Sequence, residues 1–351
     1  MPLSLSGVYH GASWRYEQFT AKGGCATVAG DTAEGGYSTQ VAAWITGDRN
    51  YMRSTHVNVV IDLDRVRASA EAVRAKTGVT LIAVIKADAY GLGAARVADA
   101  LDSIADEFAY FSLEEAAEVG RPGLVMGPPL GEPREYQERQ LRPTVSTREQ
   151  ATHFVGLSVA VNVDTGMQRF GCMPEELDEL LTISSAKEMF THTAGASGAG
   201  LLRELRGGRD IKLHAASSAQ LDLPDAWLDA VRPGYALYRQ AVRVTGKLMA
   251  VRQTSGQIGY KRFEHRLIGM MRCGYAHGLR AAPAVINGRR QRILESGMNT
   301  CTISVDPADR AGDEVVLLGR ELPEEEIAKA LNCRPHEVLC RYTELGNRTY
   351  V

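Results

Sequence analysis

The feature of this sequence that most constrains its fold is a series of eight short apolar segments separated by stretches of helical character. Apolar runs of this length, rich in Val, Ile and Leu, are typical of parallel strands buried on both faces. Strands that alternate with helices form right-handed βαβ units, and eight such units favour closure into a barrel. The predicted strands are Thr80–Lys86, Phe108–Ser112, Gly123–Met126, Arg142–Ser146, Ser158–Val163, Glu188–His192, Ile211–Ala215 and Leu228–Val231.

Helical patterns lie before and between these strands. In Leu63–Lys76, apolar and small residues share one face while charged residues lie largely on the other. We therefore predict an α/β fold, a (β/α)8 TIM barrel, with an open doubly wound sheet as the alternative. No G-x-G-x-x-G motif opens a helix after the first strand, so the dinucleotide-binding form of that alternative has no support. The other predicted helices of this region are Ala94–Glu107, Glu114–Val119, Thr147–Val155 and Pro174–Ile183.

The chain has 351 residues, more than a barrel of roughly 250 residues needs, so a second domain is expected. Residues 53–244 carry the barrel pattern. From residue 245 onward, short alternating segments punctuated by glycine predict a C-terminal β domain, 245–351, interrupted by one short helix, Pro323–Leu331. Residues 1–52 are rich in Gly, Ala, Ser and Thr and are interpreted as an N-terminal extension.

The composition excludes several classes of protein. With 44% hydrophobic residues, 23% charged residues and a formal net charge of -2, the chain has no field suited to nucleic acid or anionic lipid. No apolar run approaches the roughly 20 residues that span a bilayer, and no secretory signal is recognisable, which predicts a cytoplasmic protein. The six cysteines have no C-x-x-C spacing, so neither a metal site nor a disulfide framework is expected.

A single lysine, Lys86, ends the first predicted barrel strand. Barrel enzymes carry their active sites at this end of the strands. A lysine desolvated by apolar neighbours loses its proton more easily and can form a Schiff base with an aldehyde cofactor. The alternative is an ordinary lysine whose ammonium reaches water at the end of a strand.

Further polar residues follow the other strands: Arg169, His192, Ser218, Arg232 and Gly234. Barrels frequently bind phosphate in the loops after strands seven and eight, where Ser218 and Gly234 lie. A phosphate site and a Schiff-base lysine in one barrel mouth indicate pyridoxal phosphate. Each residue also has a structural interpretation, as an ion pair, a buried histidine or a helix cap, but their convergence at one end of the barrel favours a functional site.

The same segments carry a family resemblance. From about residue 53 to the end, the chain resembles alanine racemases, and the resemblance implies a fold-type III pyridoxal phosphate enzyme. It also implies a head-to-tail homodimer whose active sites each borrow residues from the partner's β domain. The matching motifs are A-V-I-K-A-D-A-Y-G-L-G, V-D-T-G-M-Q-R-F-G, T-H, H-A-A-S-S-A, V-R-P-G-Y-A-L-Y, G-Y-A-H-G-L and G-D-E-V-V-L-L-G, in that order.

The resemblance implies a role for each matching residue. Lys86 holds pyridoxal phosphate and is one of two bases at the substrate Cα, Tyr275 of the second chain is the opposing base, and His192 hydrogen-bonds that tyrosine. Arg232 resembles the partner of the pyridine nitrogen. The remaining implied contacts are Tyr90, Ser218, Gly234 and Tyr235 for the cofactor phosphate, and Arg169 and Met298 for the substrate.

Several positions depart from the family pattern. Asn162 lies where many members carry a lysine that orients the arginine matching Arg169, so this arginine needs other support. Asn299 replaces a common aspartate, Arg239 replaces a usual glycine, and the segment 193–213 is shorter than usual. The C-terminal L-G-N-R-T-Y differs from the usual R-V-P-R-x-Y, which leaves the role of Tyr350 open.

The leading functional hypothesis is racemisation of L-alanine to D-alanine, and hence a part in D-alanine biosynthesis. A racemase for a larger amino acid is the second hypothesis, because the short segment and Asn299 would widen the entrance. A homologue that binds pyridoxal phosphate without turnover is the third. A decarboxylase on the same fold is less favoured, because the sequence around Tyr275 resembles racemases.

Overall fold

The computed structural model describes residues 53–193 and 197–351. The predicted extension, 1–52, lies outside the described residues. Strand β1 (Ser54–Ile61) comes first and is followed by helix α1 (Leu63–Thr77). A carboxylate before α1, that of Asp62, caps its N-terminus, and Gly78 ends it in a left-handed conformation with φ 66°.

Eight parallel strands close into a barrel in the order of the chain, and the last strand pairs with the first. The predicted fold class, a (β/α)8 barrel with a C-terminal β domain, is confirmed. All eight predicted strands are present, with ends that differ by a few residues. The barrel strands are β2 (Thr80–Val84), β3 (Glu107–Tyr110), β4 (Gly123–Val125), β5 (Leu141–Val145), β6 (Ala160–Asn162), β7 (Glu188–Phe190), β8 (Lys212–Ser217) and β9 (Ala230–Arg232).

Helices surround the barrel and cover its outer face, while a small apolar cluster fills part of its interior. The helices are α2 (Ala94–Leu101), α3 (Leu113–Val119), α4 (Pro133–Glu138), α5 (Arg148–His153), α6 (Leu177–Ser184), α7 (Ser197–Arg206) and α8 (Tyr235–Tyr238). The interior cluster consists of Ile82, Val84, Ala109, Leu124, Ala160, Phe190 and Ala230.

A second, mainly antiparallel sheet combines β1 with strands that follow the barrel. These strands are β10 (Val242–Gln253), β13 (Leu267–Met271), β14 (Pro283–Ile286), β15 (Arg289–Ser296), β16 (Cys301–Ser304), β17 (Glu314–Leu318) and β18 (Gly346–Tyr350). The strand order in the sheet is β13-β16-β15-β14-β17-β10-β1-β18. A two-stranded hairpin, β11 (Gln257–Ile258) and β12 (Phe263–Glu264), lies between β10 and β13.

Two features of this sheet differ from the expectation. Strand β1 falls in the segment assigned to the barrel, but it pairs antiparallel with β10 and parallel with β18, because Val57, Val59 and Ile61 bury one of its faces in the sheet. Two helices, α9 (Glu324–Leu331) and α10 (Pro335–Tyr342), interrupt the domain where one was predicted. No helix among the described residues is long and apolar enough to cross a membrane.

Candidate active site

We call the end of the barrel where the C-terminal ends of its strands meet the barrel mouth. Lys86 lies there, just after the C-terminal end of β2. The four residues after it, Ala87 to Tyr90, all have left-handed backbone angles, with φ between 51° and 58°. Such a run costs energy in L-residues, so neighbouring groups must fix it. The Asp88 carboxylate does so, because it accepts a hydrogen bond from the Ala94 N–H at 2.7 Å and pairs with the Arg348 guanidinium.

The environment of Lys86 lowers the pKa of its amine. Partial burial is the largest cause, and the positive charges of Arg169 and Arg232 act in the same direction, against the carboxylate of Glu115. A lowered pKa increases the fraction of neutral amine, which is the nucleophilic form. Lys86 is therefore better suited to attack a carbonyl than an exposed lysine is.

Tyr90 lies at the end of the left-handed turn and points its phenol at the loop after β9. A Cβ atom added to Gly234 would lie 2.3 Å from the Tyr90 Oη, so only glycine leaves room for this phenol. The Tyr90 ring also packs against Tyr238, with ring centroids 5.3 Å apart. Burial raises the pKa of Tyr90 to about 12, which keeps the phenol protonated and able to donate a hydrogen bond at neutral pH.

Ser218 lies in the loop after β8 and is hydrogen-bonded to the loop after β9. Its Oγ accepts hydrogen bonds from the backbone N–H groups of Gly234, at 3.1 Å, and Ala236, at 3.0 Å. The hydroxyl proton remains for an acceptor in the barrel mouth. Tyr235 begins α8, and its side chain donates to the Glu325 carboxylate at 3.1 Å, on α9. These loops thus bring the hydroxyls of Tyr90 and Ser218 together beside Gly234, and hydroxyl donors of this kind can bind a phosphate.

Arg232, the last residue of β9, is almost completely buried in the barrel. Its guanidinium donates to the backbone oxygens of Thr191 at 2.6 Å and His214 at 2.8 Å, and it also contacts the His214 Nδ1. The guanidinium carbon lies 4.9 Å from the centroid of the Phe190 ring. Burial lowers the pKa of Arg232 to about 10, so the side chain keeps its positive charge at neutral pH.

His192 and Arg169 line one small pocket at the ends of β6 and β7, together with Asn162. Burial, followed by the charges of Arg232 and Arg169, lowers the pKa of His192 to about 4, so the imidazole is neutral at pH 7. Asn162 is uncharged and so cannot form an ion pair with Arg169. The Arg169 backbone is held by the Asp164 carboxylate at 2.9 Å, and its guanidinium carbon lies 5.9 Å from the Phe170 ring centroid.

Tyr275 and Met298 lie side by side on the C-terminal β domain. The Ala276 N–H donates to the Met298 oxygen at 3.0 Å, and the Tyr275 N–H donates to the Gly297 oxygen at 2.8 Å. Both side chains are exposed, at 55% and 59%. Within the described part of a single chain, no hydrogen bond, ion pair or ring contact links Tyr275 to Lys86.

The structure also brings polar residues to the site that were not assigned a role from the sequence. His214 contacts Arg232 from inside the barrel, Glu188 contacts His214, and Tyr238 donates a hydrogen bond to the Val84 oxygen at 2.7 Å. The alternation of strand β7, which places Glu188 and Phe190 on one face, was the available signal. No group of three or more metal-binding side chains occurs among residues 53–193 and 197–351.

Two of the residues in segments that depart from the family pattern, Arg239 and Tyr350, make defined contacts. Arg239 donates from Nε to the Glu325 carboxylate at 2.8 Å, so it links the loop after α8 to α9. The Tyr350 hydroxyl lies against Gly93, where an added Cβ would be 2.3 Å away, so this side chain packs beside the loop that follows Tyr90. The segment 193–213 contains helix α7 and three residues outside the described range.

Comparisons with known proteins bear on both domains. Residues 61–241 match the model of the alanine racemase N-terminal domain, and residues 241–350 match that of the C-terminal domain. A biosynthetic alanine racemase from Pseudomonas aeruginosa is 31% identical over 83% of this chain and 98% of its own length.

Solved structures of alanine racemases share this fold. The crystal structure of biosynthetic alanine racemase from Pseudomonas aeruginosa superposes with a TM-score of 0.78 at 26% identity, covering 85% of this chain and all of that one. An alanine racemase from Bartonella henselae, solved with covalently bound pyridoxal phosphate, has a TM-score of 0.76 at 21% identity, over 85% of this chain and 100% of that one.

The fold and the barrel mouth define a (β/α)8-barrel enzyme with a lysine at the end of its first barrel strand. The chain belongs to the alanine racemase family. The family resemblance found in the sequence is thereby confirmed, as is the predicted enzyme class, an amino-acid racemase.

Proposed function

We propose that this protein interconverts L-alanine and D-alanine, with pyridoxal phosphate as its cofactor. The observation that carries the proposal is the position of Lys86, an amine with a lowered pKa in the same barrel mouth as a buried arginine and a set of phosphate-binding donors. Membership of the alanine racemase family supports the same conclusion.

The residues of the barrel mouth fit pyridoxal phosphate. Lys86 would hold its aldehyde carbon, and Tyr90, Ser218 and the backbone of Gly234 and Tyr235 would hold its phosphate. The absence of a side chain at Gly234, which leaves Tyr90 Oη beside the backbone, is the feature of the structure that supports this cradle. When bound, pyridoxal phosphate withdraws electrons from the substrate Cα and makes its proton acidic.

Racemisation requires a proton to leave one face of Cα and another to arrive on the opposite face, so it requires two bases. Lys86 is proposed for one face and Tyr275 of a second chain for the other. A phenol is a weak base unless a neighbour stabilises its anion. His192, which is neutral at pH 7, is proposed as the hydrogen-bond partner of that phenol.

Arg232 is proposed as the partner of the pyridine nitrogen. A guanidinium has only donors, so Arg232 would donate to this nitrogen and leave it without a proton of its own. The electron withdrawal is then weaker, which favours simple proton exchange over transamination. Arg169 and the partner's Met298 are proposed to contact the substrate, with the Arg169 guanidinium binding its carboxylate.

The proposed assembly is a homodimer with two shared active sites. The exposure of Tyr275 and Met298, together with that of Phe111 and Phe170 at the barrel mouth, supports it, because a second chain would cover these apolar side chains. We further propose a cytoplasmic location and a role in D-alanine biosynthesis. The proposed binding partner is an amino-acid substrate; neither nucleic acid nor a membrane is proposed as a partner.

The proposal is tested by incubating the purified protein with pyridoxal phosphate and either enantiomer of alanine in deuterated water. We expect deuterium at Cα and a final equimolar mixture of the two enantiomers. Serine, lysine and arginine, assayed in parallel, distinguish the alanine racemase from a racemase for a larger amino acid. Bound cofactor without exchange on any of these substrates would contradict the proposal and favour a non-catalytic homologue.

A further inference from the structure

A chain of polar side chains runs through the interior of the barrel, from its mouth to the opposite end, which we call the floor. Arg232 lies at the mouth, Glu188 lies at the floor and His214 connects them. All three are buried, with 3%, 6% and 0% of their surface exposed. Barrel interiors are normally filled by branched apolar side chains, so a buried carboxylate here needs a reason.

The hydrogen bonds along this chain fix the proton on His214. The Arg232 guanidinium contacts the His214 Nδ1 and has only donors, so Nδ1 must be an acceptor. The ring proton is then on Nε2, which donates to the Glu188 carboxylate at 2.6 Å. The Phe190 ring stacks on the imidazole, with centroids 5.0 Å apart, and fixes its plane.

Glu188 is itself held at the floor by a cluster of charged side chains. The Arg142 Nε donates to Glu188 at 2.8 Å, its Nη2 donates to Glu107 at 2.5 Å, and the Lys212 ammonium donates to Glu107 at 2.7 Å. We call Glu107, Arg142, Glu188 and Lys212 the floor cluster. It contains two carboxylates and two cationic side chains, so the Glu188 carboxylate that accepts the hydrogen bond from the His214 Nε2–H is anchored and its charge is balanced.

We propose that Glu188 is a positioning residue for racemisation: it holds His214 in the Nε2–H tautomer and thereby fixes the Arg232 guanidinium at the barrel mouth. This inference rests on the proposed function, in which Arg232 meets the pyridine nitrogen. Without the carboxylate, the Nε2–H loses its acceptor. The alternative tautomer would turn an N–H of His214 toward the donors of Arg232, and the guanidinium would have to move.

The first test compares Glu188→Leu with Glu188→Gln. In Glu188→Gln the side-chain oxygen can still accept a hydrogen bond from the His214 Nε2–H, but the amide NH2 then faces the Arg142 Nε in place of a carboxylate oxygen. We therefore expect Glu188→Gln to lower kcat less than Glu188→Leu does. Leucine cannot accept this hydrogen bond, and loss of a group that orients a binding residue typically costs 10- to 100-fold. We expect Glu188→Leu to lower kcat by about tenfold or more, to weaken binding of pyridoxal phosphate to the apoprotein, and to change the alanine KM less than about threefold.

Lys212→Met is the matched control. It removes the ion pair with Glu107 but leaves the contacts of Glu188 in place, so we expect kcat and cofactor affinity within about twofold of native. A loss as large as that of Glu188→Leu would assign the effect to the floor cluster as a whole and overturn the proposal. A double variant gives a second criterion. When Arg232→Leu is already present, adding Glu188→Leu should cause little further loss of cofactor affinity, because Glu188 is proposed to act through Arg232.

A direct measurement of the tautomer keeps the inference testable if Glu188→Leu does not fold. In apoprotein carrying ¹⁵N-labelled histidine, the NMR signal that His214→Gln removes should report a proton on Nε2 and none on Nδ1 at pH 7. A proton on Nδ1, or on both nitrogens, would overturn the inference. This readout needs neither cofactor nor turnover, so an inactive native protein would contradict the proposed function alone.

Discussion

At the scale of single residues, burial acts on two cations of the barrel mouth with different results. It lowers the pKa of Lys86 from an ordinary value of 10.5, so more of the amine is neutral and nucleophilic. It lowers the pKa of Arg232 only to about 10, so the guanidinium stays charged at neutral pH. One environment thus provides both a nucleophile and a permanent hydrogen-bond donor.

Gly234 provides a test of the proposed phosphate cradle at this scale. In Gly234→Ala, the new methyl group would collide with the Tyr90 Oη and displace the phenol. We expect cofactor affinity to fall by about tenfold or more, as for loss of a charge-assisted hydrogen bond. Gly200→Ala in helix α7 is the control, because no atom lies within 4 Å of its added Cβ and alanine favours a helix. Equal cofactor affinity in the two variants would contradict the cradle.

The two buried histidines predict how stability depends on pH. The pKa values of His192 and His214 are about 4 in the folded chain, below their ordinary value of 6.5, so the unfolded chain binds more protons between these values. The free energy of unfolding should therefore fall as the pH falls through this range. His214, which is fully buried, should contribute about 2 kcal/mol between pH 7 and pH 5. Urea unfolding of the apoprotein at these pH values measures the free energy of unfolding. If its change between pH 7 and pH 5 is the same in His214→Gln as in the native protein, the contribution assigned to His214 is contradicted.

Sequence reasoning selected the residues that directly follow strands, such as Lys86, Ser218 and Arg232, because parallel strands bring their ends together. It did not select His214 or Glu188, which lie inside strands. Their inward direction depends on the register between β7 and β8, which pairs Phe190 with His214. A shift of one residue would reverse that direction, and a single sequence does not specify the register.

At the scale of elements, the left-handed turn after Lys86 connects the barrel to the C-terminal sheet. The Asp88 carboxylate binds the N-terminus of α2 on one side and Arg348 of β18 on the other. The sequence places Lys86 and Tyr90 four residues apart, but the direction in which each side chain points is set by this turn. Its stability depends on contacts from the far end of the chain.

Replacing Asp88 should loosen this turn. Asp88→Ala removes the cap of α2 and the ion pair with Arg348, whose side chain is only 9% exposed. We expect a loss of about 1 to 3 kcal/mol in stability and a reduced cofactor affinity. Asp222→Ala, which removes an ion pair whose carboxylate is 90% exposed, should cost less than about 1 kcal/mol. Urea unfolding compares the two, and a larger loss for Asp222→Ala would contradict the assigned role of the turn.

The elements themselves were largely predictable, because the barrel strands and most helices have a local signal in apolar periodicity. The exceptions have physical causes. Strand β1 joins the sheet through partners nearly two hundred residues or more away, β10 and β18, and no local pattern specifies such pairing. Helix α10 buries Val338, Leu339 and Tyr342 along one face, but it is short and lies in a region dominated by strands.

At the scale of the whole molecule, the two proposed bases lie on surfaces of one chain that no described contact connects. Lys86 is in the barrel mouth and Tyr275 is exposed on the β domain. In the proposed head-to-tail dimer, each active site takes its lysine from one chain and its tyrosine from the other. Activity is then a property of the dimer.

Subunit mixing tests this central claim most directly. Lys86→Ala and Tyr275→Phe should each be nearly inactive as homodimers. When the two variants are unfolded together and refolded as a mixture, half of the dimers should be hybrids, each with one native site and one doubly substituted site. We predict recovery of about one quarter of the native racemase activity per total chain. No recovery, in a mixture shown by mass spectrometry to contain hybrid dimers, would contradict the shared active site.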